Sequence, residues 1–105
     1  MDFAASVLYL TSQIPRGRIT TYKEIAAHLG DMRLSRAVGG ALHRNARPVE
    51  IPCHRVIRSN GELGGYSRGV AEKTRLLRSE GITVEENRVR DYEKILFQSS
   101  RMRKP

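Results

Sequence analysis

A chain of 105 residues is one domain with one modest core, and its 39% apolar and 29% charged residues are those of an ordinary globular protein. A lone cysteine fits a reducing compartment and excludes a disulfide scaffold, no apolar run approaches membrane-spanning length and no basic-then-apolar block opens the chain, so the expected location is the cytoplasm, or the nucleus in a eukaryote. The net charge of +8, from 19 Lys+Arg against 11 Asp+Glu, points to a polyanionic partner, most simply nucleic acid, with an unspecialised basic surface as the plainer alternative.

Phe3, Val7, Leu10 and Ile14 recur at helical spacing and predict a first helix within residues 2–14. Asp2 would cap it, and Pro15-Arg16-Gly17 would end it. Thr21-Tyr22-Lys23-Glu24 has the spacing of a capping box, with Thr21 as N-cap. The helix it opens turns Ile25, Ala26 and Leu29 inward and stops at Gly30. A second helix follows over 34–44, so residues 21–44 form a helix-turn-helix candidate. A loop with Pro48 and Pro52 then leads to the cysteine. Ser59-Asn60-Gly61, between Val56-Ile57 and Leu63, is a hairpin signal, and that hairpin would be a wing. Residues 64–69 read as a flexible or ligand-hugging loop.

Residues 70–79 read as a helix with Val70, Leu76 and Leu77 apolar, closed by Gly81. A short strand at 82–84 and a last helical turn at 91–97 follow, with Tyr92, Ile95 and Leu96 packing back. Arg101, Arg103 and Lys104 form a basic tail, expected to be disordered. The expected fold is mostly α with a small β wing, a winged helix-turn-helix in a single domain over 1–105. Within it, 51–69 is an active-site loop and wing, 70–81 a helix, and 82–105 a C-terminal extension.

Two features point to chemistry. Cys53 lies in Ile51-Pro52-Cys53-His54-Arg55-Val56, between a proline and a His-Arg pair. Nearby positive charge raises a thiol's thiolate fraction, and the thiolate is the nucleophile. With no second cysteine, a reacting Cys53 must react outside the chain. The second feature is the helix Arg36-Ala37-Val38-Gly39-Gly40-Ala41, whose two mid-helix glycines cost about 1 kcal/mol each. Its small face, Ala37, Gly40 and Ala41, serves either tight helix packing or close approach to a nucleic-acid groove, with Arg33, Arg36 and Arg44 supplying charge.

In order and spacing, these segments resemble the C-terminal domain of the O6-alkylguanine-DNA alkyltransferases, also called methylated-DNA–protein-cysteine methyltransferases. The resemblance covers 14–81: Ile14-Pro15-Arg16-Gly17, Thr21-Tyr22, the Arg36–Ala41 run, Asn45, the cysteine box, Gly65-Tyr66-Ser67 and Lys73, Leu76-Leu77 and Glu80-Gly81. It implies single-turnover DNA repair. The family binds duplex DNA through the minor groove, flips the damaged guanine out and moves its alkyl group to the cysteine, with no metal or cofactor. A stand-alone domain of this kind is expected to act as a monomer.

The resemblance also implies roles. Cys53 is the nucleophile, His54 its base through a water, and Glu80 the acid that orients the histidine. Tyr66 donates to the leaving guanine. Arg36 fills the gap left by the flipped base, and Tyr22 crowds the backbone phosphate. Thr21, Arg33, Ala37, Gly40 and Arg44 complete the DNA-binding set. Asn45 braces the cysteine turn, and with Pro52, Val56, Ser67 and Arg68 it makes the substrate pocket. Taken singly, His54, Tyr22 and Tyr66 read as packing residues and Glu80 as an ordinary helix end. Arg55 reads as a structural ion pair, and His28 and His43 as helix-surface residues.

Two departures from the family stand out. The repair-type domain starts almost at residue 1, where most members carry a further N-terminal domain, and 82–97 looks more like the short alkyltransferase-like proteins. Those bind and flip alkylguanine without repairing it, because tryptophan or alanine replaces the cysteine; retention of Cys53 argues for transfer. Many members also have Tyr-Ser-Gly-Gly where this chain has Tyr66-Ser67-Arg68-Gly69. Arg68 is expected to narrow the alkyl pocket against bulky adducts.

Overall fold

The computed structural model describes all residues, 1–105. Helix α1 spans Phe3–Ser12, and the Asp2 carboxylate accepts from the Ala5 N–H at 2.8 Å, as the sequence predicts. Thr21 caps α2 (Tyr22–His28) by accepting from the Glu24 N–H at 3.0 Å. Gly30, at φ +100°, ends that helix, and a 3-10 turn over Met32–Leu34 leads into α3 (Ser35–His43). The three helices enclose Val7, Leu10, Ile14, Ile25, Ala26, Val38, Ala41 and Leu42. Ala41 turns inward, while Ala37 is exposed and Gly40 half-buried. The small residues of α3 therefore divide: one packs the core and two face out.

Strand β1 (Thr20–Thr21) pairs in parallel with β2 (Val56–Ile57). Val56 joins the helical core, and Ile57 joins a second cluster with Ile19, Leu63, Leu77, Ile82, Val84 and Val89. The sequence reading expects one core; two form, on either side of this ribbon. That same fact corrects the wing. Asn60-Gly61 does make a tight turn, with the Gly61 N–H donating to Arg58 O at 2.9 Å. Beyond one bond from the Arg58 N–H to Glu62 O at 2.9 Å, its flanks form no hairpin ladder, because Val56 and Ile57 are both fully buried and a one-sided wing covers only one face.

The hairpin lies further on, where β3 (Val84–Glu85) pairs antiparallel with β4 (Arg88–Val89). Glu86 and Asn87 both take positive φ at its tip, the requirement of a two-residue turn between right-twisted strands. Leu63 docks beside it, donating its N–H to Asn87 O at 3.0 Å.

Helix α4 (Val70–Ser79) forms as expected, but its inward residues are Lys73 and Leu77, while Val70 is 39% exposed. The last helix shortens to a 3-10 turn over Tyr92–Ile95, after which the chain runs beside Ile19. The C-terminal segment is not free, contrary to expectation. Met102 enters the helical core, the Gln13 amide both donates to Arg103 O and accepts from its N–H, and His28 Nδ1 donates to Ser99 O. His28 is thus a fastener rather than a surface residue. No helix is long and apolar enough to cross a membrane.

If the C-terminal segment is held this way, Met102→Ala lowers unfolding stability by about 2 kcal/mol. Urea denaturation checks it; an unchanged midpoint would mean that Met102 contributes no burial.

Candidate active site and nucleic-acid interface

The cysteine sits in a 3-10 turn over Cys53–Arg55, and Asn45 sets its shape. The buried Asn45 amide donates to Ile51 O at 3.0 Å and lies 3.3 Å from Cys53 Sγ, while its Oδ1 accepts from the Arg47 N–H at 2.9 Å. The tight turn sends neighbouring side chains opposite ways. Cys53 opens into a cavity of about 490 Å³, and His54 turns behind it toward α4.

Behind the cysteine, one carboxylate gathers its neighbours. Glu80 Oε2 accepts from His54 Nε2 at 2.9 Å and from Arg55 Nη2 at 2.8 Å. Its Oε1 accepts from Arg55 Nε at 2.9 Å and from the Gly17 N–H at 3.4 Å. Burial works to raise the Glu80 pKa, but the Arg55 and His54 hydrogen bonds outweigh it and hold the group at about 2. Burial also lowers the His54 pKa, against the pull of Glu80, so the imidazole is neutral near pH 7. With Nε2–H donated to Glu80, the lone pair of His54 is on Nδ1, which is buried and unpartnered. Arg55 is the structural ion pair the sequence suggests, and its Nη1 also donates to Ile14 O at 2.7 Å.

The cavity brings together Tyr22 from the start of α2, Ser35, Arg36, Gly39, Leu42 and His43 from α3, Cys53, Arg58 and residues 64–67. Its wall carries no acidic residue. The Tyr66 hydroxyl is buried without a partner, and burial, then the neighbouring Cys53, raises its pKa. Its ring meets His54 edge-on, with centroids 6.5 Å apart. A Cβ at Gly64 would stand 2.9 Å from the Tyr22 hydroxyl, and φ there is +72°, so only glycine lets the loop close over that tyrosine.

Five of the residues singled out in the sequence thus share one cavity: Tyr22, Arg36, Cys53, Tyr66 and Ser67. Others lie elsewhere. Asn45, Pro52 and Val56 are buried behind the turn and do not line the wall. Thr21 is buried, with its hydroxyl engaged as a cap, so it is not a surface for DNA. Arg33 is exposed but paired with Asp31 at 2.9 Å, which neutralises it. Arg44 is exposed and off the cavity wall. Arg68 is also exposed and off the wall, beside Tyr66 and Glu72, so the expected narrowing has no basis in the geometry.

Sequence reasoning noted Lys73 and the loop at Gly64 without giving either a role, and it missed Arg58 and the cavity position of His43. Lys73 Nζ donates to Val56 O at 2.7 Å, Leu63 O at 2.5 Å and Gly65 O at 3.1 Å. Burial pushes its pKa down to about 7, while three carbonyls match the three donors of an ammonium. The available signal was its place four residues before Leu77, on the inward stripe of α4. No group of three or more His, Cys, Asp or Glu side chains is placed to hold a metal ion.

The Glu80 carboxyl carries a pH signature. Its folded value, about 2, lies below the ordinary carboxylate value of about 4.3, so its stabilisation is complete above the latter and is lost as pH falls toward the former. Glu80→Gln is expected to cost about 3 kcal/mol at neutral pH, because it leaves the half-buried Arg55 without its anion. The gap from wild type should shrink as pH drops through that window. Denaturation midpoints of both proteins against pH provide the check; a constant gap would contradict the assignment.

Residues 2–82 match the family model described as 6-O-methylguanine DNA methyltransferase, DNA binding domain. The methylated-DNA–protein-cysteine methyltransferase of Methanothermobacter thermautotrophicus is 50% identical over 84 residues, which are 80% of this chain and 47% of that protein. The bifunctional methyltransferase/endonuclease of Picrophilus torridus is 49% identical over 89 residues, 85% of this chain and 30% of that protein. The chain thus spans half or less of these two relatives. Among solved structures, Mycobacterium tuberculosis OGT in complex with DNA superposes with a TM-score of 0.74 at 40% identity, over 77% of this chain and 49% of that one. S. pombe Atl1, in complex with damaged DNA containing O6-carboxymethylguanine, gives 0.80 at 26% identity, over 91% of this chain and 94% of that one. The helix-turn-helix, the cysteine turn and the helix behind it all fall within the matched residues, and the chain belongs to the O6-methylguanine DNA methyltransferase family through its DNA-binding domain.

Proposed function

We propose that this chain binds duplex DNA, flips an O6-alkylguanine into the cavity and transfers the alkyl group irreversibly to Cys53. One observation carries the reading: Cys53 opens into a cavity walled by Tyr22, Arg36 and the unpartnered Tyr66 hydroxyl, with a neutral His54 held behind it by Glu80. An alkyl carbon on guanine O6 is out of reach inside the stack, so the nucleotide must leave it. Arg36, exposed on α3, fills the gap, and the outward Ala37 and Gly40 let the helix enter the minor groove, where width is limiting.

In the reaction, the Cys53 sulfur forms a bond to the alkyl carbon as the carbon–O6 bond breaks. The thiol proton passes through a water to Nδ1 of His54, and Glu80 stabilises the imidazolium that results. Tyr66 donates to the departing guanine, offsetting the charge that develops there. Asn45 holds the turn that aims the sulfur. The thioether has no route back to a thiol, so each molecule acts once.

A second reading is a lesion sensor that binds O6-alkylguanine without transfer. The likeness to Atl1 over 94% of that chain favours it. Intact mass after mixing with a duplex containing one O6-methylguanine separates the two. Transfer adds about 14 Da, one methylene, to the wild type and nothing to Cys53→Ala. Lesion-selective binding with no mass change would establish the sensor instead.

Tyr66→Phe should slow transfer about 10²-fold with little change in affinity, measured by single-turnover kinetics. The rate should stay level as pH falls until below the ordinary histidine value, about 6.5, because burial keeps His54 neutral there.

A further inference from the structure

Arg58 follows β2 and is exposed at the cavity that holds Cys53. It has no place in the mechanism above. Its guanidinium forms no hydrogen bond or ion pair, whereas Arg33, Arg47, Arg55 and Arg75 each pair with a carboxylate. The cavity wall offers it no acid. Burial raises the Tyr22 pKa and lowers that of Lys73, and the Arg58 charge opposes the first and adds to the second. An exposed guanidinium with no acid within reach is free to pair with an incoming anion.

The geometry of entry says which anion. A base that swings into the cavity toward Cys53 draws its own backbone to the mouth. The phosphodiester stays there, because desolvating it inside would be costly. Arg36 stands on the α3 wall and is committed to the vacated stack. The cation left facing the backbone is Arg58.

We propose that Arg58 is a phosphate-binding residue, whose guanidinium grips one phosphodiester flanking the flipped nucleotide and so holds the base over Cys53. The proposal rests on the flipping reading above. A planar fork of donors suits two phosphate oxygens at once, and such a contact fixes position without reading sequence.

The test is a cycle of Arg58 against the phosphate. All arms carry Cys53→Ala, so that no transfer consumes the complex, and dissociation constants are read by fluorescence anisotropy. The duplexes hold one O6-methylguanine, with the phosphodiester on its 5′ side, its 3′ side or neither replaced by a neutral methylphosphonate. With Arg58 intact, the neutral linkage on one side weakens binding about tenfold. Arg58→Ala weakens binding to the all-phosphate duplex by a similar factor, lowers the salt slope by about one, and removes the sensitivity to that linkage. Arg58→Lys restores part of the affinity. The proposal is overturned if the two losses multiply on both sides, or if Arg58→Ala binds as its parent does. Equal affinity for lesion and plain duplex with Arg58 intact would instead sink the flipping reading, and this inference with it.

Discussion

The buried carboxylate of Glu80 collects donors from two separate stretches of chain, His54 and Arg55 in the cysteine turn and Gly17 in the turn after α1, while the second arm of Arg55 donates onward to Ile14 O. Burying a charge alone costs several kcal/mol, so the carboxylate is stable there only with all its partners present. That condition makes the contact a constraint on everything around it. Arg55 must face inward, so His54 faces α4 and Cys53 faces the cavity. The imidazole proton must be on Nε2, so the basic nitrogen is the one left without a partner. The chemistry proposed at the sulfur thus depends on the geometry of an acid that does not line the cavity.

A second buried charge works from the same helix. Lys73 and Glu80 lie seven residues apart, two helical turns, with Leu77 between them on the inward side of α4. The ammonium holds the carbonyls of Val56, Leu63 and Gly65, which belong to β2 and to the loop that carries Tyr66. Glu80 fixes the floor of the site and Lys73 fixes one wall. An irregular loop with few hydrogen bonds of its own is thereby given a definite shape. Preorganisation of this kind suits the proposed transfer, in which the sulfur, the donor and the vacant space must be in place before the base arrives.

What could be read from the sequence was local or chemical. The caps at Asp2 and Thr21 depend on a few adjacent residues, and both formed. The cysteine box was legible because its residue types are rare in that order, and Glu80 was picked out only through the family resemblance. The failures were non-local. Asn60-Gly61 does turn, but the partner of Val56-Ile57 is set by burial on both faces, which favours Thr20–Thr21 from far up the chain. The basic tail reads as disordered by composition, yet one methionine and the Gln13 amide hold it down. Arg33 and Arg58 look alike in sequence; Asp31 neutralises one, and no acid reaches the other. Lys73 was hidden because a buried lysine is intelligible only once the carbonyls around it are known.

The C-terminal segment bears on the choice between transfer and sensing less than its likeness to Atl1 suggests. Residues 92–103 dock along Ile19, Thr20, His28 and Gln13. None of them lines the Cys53 cavity. Their contribution is to cover the edge of β1 and close the helical core, which any domain of this shape requires whatever its chemistry. The features that bear on transfer lie in the cavity and the turn beneath it. There Cys53 lies beside the Asn45 amide, and a neutral imidazole stands behind it with one nitrogen free. A sensor needs a cavity shaped for the base and has no use for a base held behind the thiol.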